Sequence, residues 1–377
     1  MESTKKKIII IGSAYPLRGG GISTFNERLA KAFQEQGDDV IIYTFSLQYP
    51  YFLFPGTTQY SKEAPPEKIN IKIQINSINP INWIVSAIRI SKEKPDLIVI
   101  RYWIPYMAPC LGTIARLIRS KAPVVAITDN IIPHEERTGD RLLTRYFIKS
   151  VDRFVAMSKT VLNDLALFDQ KKIKSYYPHP LYDNFGNAVT KQEACQLLNI
   201  EFKQRYILFF GFIREYKGLD LLLKAMSNFN VRKMNVKLII AGEFYSNEEY
   251  YLNLIKSYQI SDSILLYTTF IPNTEVYKYF CAADLVAQPY KNATQSGVTQ
   301  IAYHFSKAMI TTNVGGLSEM VPNGKVGFVV NPDPEEIASA IENFYSQNLE
   351  AEFVQNIAEE KKRFTWEGLI KVIENKE

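Results

Sequence analysis

Twice along the chain, short runs rich in β-branched residues alternate with segments of helical period. That repetition constrains the fold more than any other feature. The first series reads "KKIIIIGS", "VIIYTF", "IKIQI", "DLIVIRYW", "VVAITDN" and "RFVAMS". It breaks at residues 176–191, "YYPHPLYDNFGNAVTK", into Pro, Gly, Asn and aromatic residues, the composition of a linker. The alternation then restarts with "YILFFGF", "VKLIIAGE", "SILLYTTFI", "DLVAQP", "MITTNVG" and "GFVVNP". Several runs are continuously apolar, as expected of parallel strands covered by helices on both faces. The expected architecture is α/β: two Rossmann-like, doubly wound parallel-sheet domains facing a cleft, with ligands at the carboxyl ends of the strands. The boundaries are 1–180 for the first domain, 181–360 for the second, and 361–377 for a last helix packing back on the first. Thr24 and Glu27 are spaced as a capping box for the first helix, whose Phe25, Leu29, Ala32 and Phe33 share one face. A later helix is expected over 298–308, burying Ile301, Phe305 and Ala308.

A length of 377 residues suits two cores. The apolar run Ile8–Ile11 is too short for a signal peptide and leads into Gly12 without a small-residue cleavage site. No segment approaches the ~20 apolar residues that cross a bilayer. Cys110, Cys195 and Cys281 are far apart in sequence and fit a reducing cytoplasm. The three histidines are dispersed and no D-x-D occurs, so no metal ion is expected; His179 and His304 are read as packing residues. Charge is uneven: residues 1–180 hold 25 Lys+Arg against 16 Asp+Glu, the remainder 19 against 23. A basic half suggests an anionic partner, and the aromatic run "YPYFLFPG" (49–56) with Trp83 offers either core packing or a membrane or acceptor contact.

Three loops carry the chemistry. After the first strand, "GSAYPLRGGG" places Gly19, Gly20 and Gly21 before a helix, where backbone amides can approach a ligand. The spacing is not G-x-G-x-x-G and no acid ends the second strand, which disfavours a dinucleotide oxidoreductase. In "GFIREYKGLDLLLKA", Gly211 ends a strand, Arg214 and Lys217 follow, and Gly218 opens an apolar helix. Two cations there make a diphosphate clamp. In "NATQSGVTQIAYHFSKAMITTNVGG" (292–316), short polar residues lead into Ser296-Gly297 and a helix, a phosphate-binding helix start.

These segments, with "IIAGE", "NVGGLSEMVPNGKVGFVVNPDPEEIASAI" and "FTWEGLIKVIEN", resemble the retaining family-4 glycosyltransferases of GT-B fold over nearly the whole chain. The resemblance implies a metal-independent hexosyltransferase-type enzyme (EC 2.4) with a nucleotide-sugar donor as substrate and no cofactor. By position, Arg214 and Lys217 would hold the diphosphate and the amides of Ser296, Gly297 and Val298 its distal phosphate. Gly20, Gly21, Gly211, Gly242, Thr294 and Gln295 would complete the donor site. Arg18, Asp129, Asn130 and His134 would face the acceptor.

The chain departs from the family's pattern. Its two usual glutamates are replaced by Thr294 and Ala302, with Gln295 and Gln300 either bonding hydroxyls instead or standing as surface glutamines. The arginine after the strand glycine is replaced by Phe212, and the "HD" pair reads Asp129-Asn130. The expected activity is sugar transfer to a glycan or lipid-linked glycan acceptor in cell-surface polysaccharide synthesis. The expected location is cytoplasmic, with peripheral contact to an anionic membrane and no nucleic acid. A non-catalytic nucleotide-sugar-binding scaffold would account for the missing glutamates. A two-lobed solute receptor would need an export signal.

Overall fold

A computed structural model describes residues 5–51, 58–133, 137–245 and 247–376. The chain divides into two compact units, Met1–Pro180 with Thr365–Glu377, and Leu181–Phe364.

The first unit is built on strands β1 (Lys7–Ile11), β2 (Asp39–Leu47), β3 (Asn70–Asn76), β4 (Leu97–Tyr102), β5 (Val124–Thr128), β6 (Arg153–Ala156) and β7 (Lys174–Tyr176). They form one parallel sheet in the order β3-β2-β1-β4-β5-β6-β7. The continuous apolar runs behave as central parallel strands should: Ile8–Ile11 and all of β4 are buried. The order reverses between β1 and β4, so the loops after those strands flank the switch point where such sheets take ligands.

The first helix, Gly21–Glu35, starts four residues earlier than the Thr24–Glu27 spacing predicts, with Gly20 as its N-cap at φ 139°. Glycine adopts that angle without a Cβ penalty. The two residues bond backwards into the loop instead: Thr24 Oγ1 accepts the Gly20 amide at 3.1 Å, and Glu27 Oε1 accepts the Tyr15 amide at 2.8 Å. The last helix, Trp366–Glu374, belongs to this unit. Its Trp366 ring lies 5.0 Å from Phe25, with the Arg28 guanidinium 5.2 Å above it.

The second unit contains β8 (Arg205–Phe210), β9 (Val236–Ala241), β10 (Ile264–Tyr267), β11 (Leu285–Gln288), β12 (Ala308–Thr312) and β13 (Gly327–Val330). These also pair in parallel, in the order β10-β9-β8-β11-β12-β13. Its switch point lies between β8 and β11. Leu222, Leu223 and Met226 of the Leu219–Met226 helix share a core with Ile207, Leu238, Ile240 and Ile310. The helix expected over 298–308 is Gly297–His304, and Ala308 opens β12 instead. Ser306 takes a left-handed φ of 53°, and the Lys307 amide closes back onto Ala302 O at 2.8 Å. A helix ends at such a turn.

Candidate active site

Strand β8 runs into Gly211, whose φ of 95° favours glycine. A second reason is space. A Cβ built there would lie 2.9 Å from Lys217 Nζ and 4.0 Å from Val298 Cγ2. The lysine, the strand end and the start of the Gly297–His304 helix therefore meet at one point. Gly242, at the end of β9 with φ 147°, is pressed against the same residue: its Cβ would fall 2.2 Å from Gly211 O.

Lys217 sits in the short 3-10 turn Glu215–Lys217 and is buried, 9% exposed. Its ammonium lies 5.6 Å over the ring of Tyr290, and among the described residues no carboxylate pairs with it. Burial first, and the neighbouring Arg214 second, bring its pKa down from 10.5 to about 7. Arg214 stacks over Tyr245, guanidinium carbon 4.4 Å from the ring centre. Tyr245 lies against Phe212, with ring centroids 4.4 Å apart. Phe212, standing where an arginine was expected, thus contributes a ring and no charge.

The loop after β11 is held by close backbone approaches and by side chains that close onto its main chain. Gly218 (φ 67°) brings its Cα so close to Pro289 that a Cβ would be 1.9 Å from the carbonyl oxygen. Gly315 (φ 50°) does the same with Ala293 O at 1.6 Å. The Lys291 amide donates to Tyr216 O at 2.7 Å, and Thr312 Oγ1 donates to Tyr290 O at 2.5 Å. Tyr290, Ala293 and Leu317 form a small apolar cluster under this loop, with Tyr216 and Val314 against it.

At the helix start, Ser296 is the N-cap and its Oγ accepts the Val298 amide at 3.2 Å. An anion there would compete for that amide, whereas the Gly297 amide has no acceptor among the described residues. Tyr290 Oη and Ser296 Oγ are 3.3 Å apart, and burial raises the Tyr290 phenol well above its usual pKa. Gly297 keeps an ordinary φ; its constraint is Tyr182, whose Cε2 would be 2.9 Å from a Cβ.

Thr294 and Gln295 lie half-buried in the loop. Gln300 is not a surface residue. It is fully buried, and neither its side-chain nitrogen nor its oxygen has a hydrogen-bond partner among the described residues. Ala302 is likewise fully buried.

The remaining candidates belong to the first unit. Gly20 caps the first helix, and a Cβ on Gly21 would meet open space. The Arg18 amide donates to Gln59 O at 2.9 Å. Asp129, at the end of β5, is buried with both oxygens engaged by Arg101, Nε at 2.6 Å and Nη2 at 2.5 Å. Arg101 in turn stacks 3.8 Å over Phe25. Asp129 therefore neutralises a buried cation, while Asn130 beside it is half-buried. His134 lies outside the described residues, as do 52–56 of the aromatic run. His179 packs edge-on against Phe25 at 5.1 Å, and burial with Arg101 nearby lowers its pKa to about 3, so it is neutral. His304 Nε2 lies 3.0 Å from Gly186 O.

Residues 191–364 match the glycosyl transferases group 1 family, and residues 19–177 match glycosyltransferase family 4. The chain is a GT-B glycosyltransferase of the family-4 type. This glycosyltransferase is 22% identical, over 83% of its length and 78% of the relative's, to D-inositol 3-phosphate glycosyltransferase of Pseudarthrobacter chlorophenolicus. Among solved structures, it superposes on sucrose-phosphate synthase from Thermosynechococcus elongatus with TM-score 0.73, 17% identity and 98% of each chain covered. Anabaena HepE in complex with UDP-glucose gives TM-score 0.72, 16% identity and 98% of each chain. The glycosyltransferase's second unit thus gathers Gly211, Arg214, Lys217, Gly242 and Val298 at the switch point of its sheet. Tyr290, Tyr245 and Tyr182 were missed by the sequence reading; the only signal for Tyr290 was its place directly after a strand.

Proposed function

We propose that this glycosyltransferase moves a sugar, with retention at the anomeric carbon and without a metal ion, from a nucleotide-diphosphate sugar to a glycan or lipid-linked glycan. The setting we propose is cell-surface polysaccharide synthesis at the cytoplasmic face of a membrane. One observation carries the reading: Lys217 is a buried cation with no carboxylate partner among the described residues, beside Arg214 at the sheet's switch point. An isolated buried charge is costly unless something compensates it, and a diphosphate supplies the opposite charge. Bound there, the diphosphate would raise the lysine's pKa again. The ammonium and guanidinium would then stabilise the charge that grows as the glycosidic bond breaks. In this scheme the leaving phosphate oxygen takes the proton of the acceptor hydroxyl. The amides at Ser296–Gly297, at a helix N-terminus, add donors for the distal phosphate.

A second reading, a nucleotide-sugar-binding protein without turnover, is favoured by one observation. The second acid position is Ala302, fully buried in the unit's interior, and Thr294 stands at the first. Thermal stabilisation by UDP-, GDP- and dTDP-sugars identifies the donor, with UDP-glucose first because the HepE neighbour binds it. Turnover is then followed with EDTA present and the anomer read by NMR. Binding without transfer or donor hydrolysis would support the second reading, and inverted product would exclude retention.

A further inference from the structure

The second unit carries a groove at the amino edge of its sheet, the opposite end of β8 from Gly211 and Lys217. Its volume is about 530 Å³, within the ~300–1,000 Å³ usual for small-molecule sites. Arg205, the first residue of β8, and Asp284, directly before β11, both line it. Lys191, which opens the helix Lys191–Leu198, adds a second cation. Tyr345 of the helix Pro334–Ser346 contributes a ring, and the helix Glu350–Glu360 contributes Glu350 and Val354. Those two are four residues apart and share one helix face.

The charges in this groove differ in how they are engaged. Asp284 is fully occupied: Oδ1 accepts Lys191 Nζ at 2.5 Å, and Oδ2 accepts the Tyr206 amide at 2.8 Å. Lys191 and Asp284 therefore compensate each other. Arg205 and Glu350 are left over. The Arg205 guanidinium lies 5.1 Å over the Tyr345 ring and, among the described residues, makes no ion pair. Stacked by one face, a guanidinium keeps its N–H edge available for a carboxylate. Glu350 makes no ion pair or side-chain hydrogen bond among the described residues either. Desolvation first, and Asp284 second, raise the pKa of its carboxyl, so a cation placed beside it would be favoured.

Two unmatched charges of opposite sign select the ligand. A phosphate would meet Arg205 but be repelled by Glu350, and a polyamine would meet Glu350 but be repelled by Arg205. A small zwitterion satisfies both. Phe344 and Val354, on the same groove, suit an aliphatic side chain between its charges and the wall. We propose that the groove binds a free α-amino acid with an aliphatic side chain, its carboxylate on Arg205 and its ammonium on Glu350. Set at the far end of β8, this ligand uses none of the residues assigned to the donor.

The experiment is thermal unfolding and calorimetric titration of the full chain with L-leucine and with two analogues that each lack one charge. L-Leucine at millimolar concentration should raise the melting temperature and give a saturable heat. N-Acetyl-L-leucine, without the ammonium, and L-leucinamide, without the carboxylate, should each bind at least tenfold more weakly. Arg205→Gln and Glu350→Gln should each weaken L-leucine binding by about one to two decades. Arg205→Lys, which keeps the charge and loses the planar fork, should fall between. Lys217→Ala should bind L-leucine as wild type does, whatever happens to its donor affinity. Any of four results would overturn the proposal: no stabilisation or heat with L-leucine, an analogue that binds as tightly, glutamine variants that bind as wild type, or equal stabilisation by inorganic phosphate.

Discussion

Gly211 makes room for Lys217: a Cβ on the glycine would come within 2.9 Å of the lysine's ammonium nitrogen. The residue that ends the strand and the cation that follows six positions later are thus one device, and disturbing either should disturb the same function. Gly211→Ala imposes a left-handed φ on alanine, a strain of roughly 1–3 kcal/mol, and displaces Nζ. We expect a folded, less stable protein whose donor affinity falls by at least tenfold in calorimetric titration. Lys217→Ala removes a charge-assisted contact worth about 1.5–3 kcal/mol, or roughly one to two decades in kcat/KM. Normal donor binding by both variants would place the diphosphate elsewhere.

The lowered pKa of Lys217 predicts a pH signature. The unfolded lysine keeps its proton to about pH 10.4, while the folded one releases it at about 7. Across that window the unfolded chain binds the extra proton, so this residue adds stability to the free protein as pH rises. Donor binding should run the other way. The diphosphate needs the ammonium, so affinity should fall about tenfold per pH unit above 7 until the pKa of the complex is reached. Titrations in buffers of different ionisation enthalpy near pH 8 should show close to one proton taken up. Lys217→Arg should abolish both effects.

Gly297 is constrained by Tyr182 rather than by its own backbone angle. Gly297→Val should therefore abolish donor binding while also destabilising the fold by about 1–3 kcal/mol through overpacking. Tyr182→Leu in the same chain separates the two effects. Stability should partly return, and donor binding should not. Recovery of both would mean that Gly297 serves packing alone.

The two missing acids differ in how they can be restored. Ala302→Glu places a carboxyl in a fully buried site and should unfold the protein or lower its stability by several kcal/mol. Thr294→Glu lies in a half-buried loop and should fold. If the site is built around its present residues, the added carboxylate weakens native donor binding, whereas Thr294→Ala loses only ~0.5–1.5 kcal/mol. Tighter donor binding by Thr294→Glu would show that the lost acid still has a vacant role.

His179 supplies an acid limb to stability. Its folded pKa of about 3 lies below the ordinary 6.5, so the unfolded chain binds the extra proton between those values. Stability is fully present above pH 6.5 and drains away as pH falls toward 3. His179→Gln should flatten the dependence of denaturant midpoint on pH in that window. An unchanged slope would assign the acid sensitivity to other groups.

Both sheets could be read from the sequence because parallel central strands are buried on both faces and must be apolar throughout, as "KIIII" and "LIVIRY" are. Helix edges were less legible. The Thr24–Glu27 pair fits a capping box by spacing, yet both side chains serve the loop before the helix. Ser306 ends another helix early through a conformation that serine seldom takes. Within the site, Arg214, Lys217 and the glycines stand out because their chemistry is local. Tyr182, Tyr245 and Tyr290 do not, since a tyrosine gains meaning only from what folding sets beside it. Gln300 could be a hydroxyl partner or a surface residue by sequence; it lies inside because residues 298–303 are buried on every side of their helix.

The loops after β8, β11 and β12 touch through bare main chain, at Gly218 against Pro289 and Gly315 against Ala293. Atoms shared by every amino acid therefore set the shape of the proposed phosphate seat. A lineage can exchange the side chains proposed to read a sugar, as at Thr294, while the loops keep their form. Divergence in this chain should be fastest where the donor's identity is read and slowest at Gly218 and Gly315, where the main chain leaves no room for a side chain.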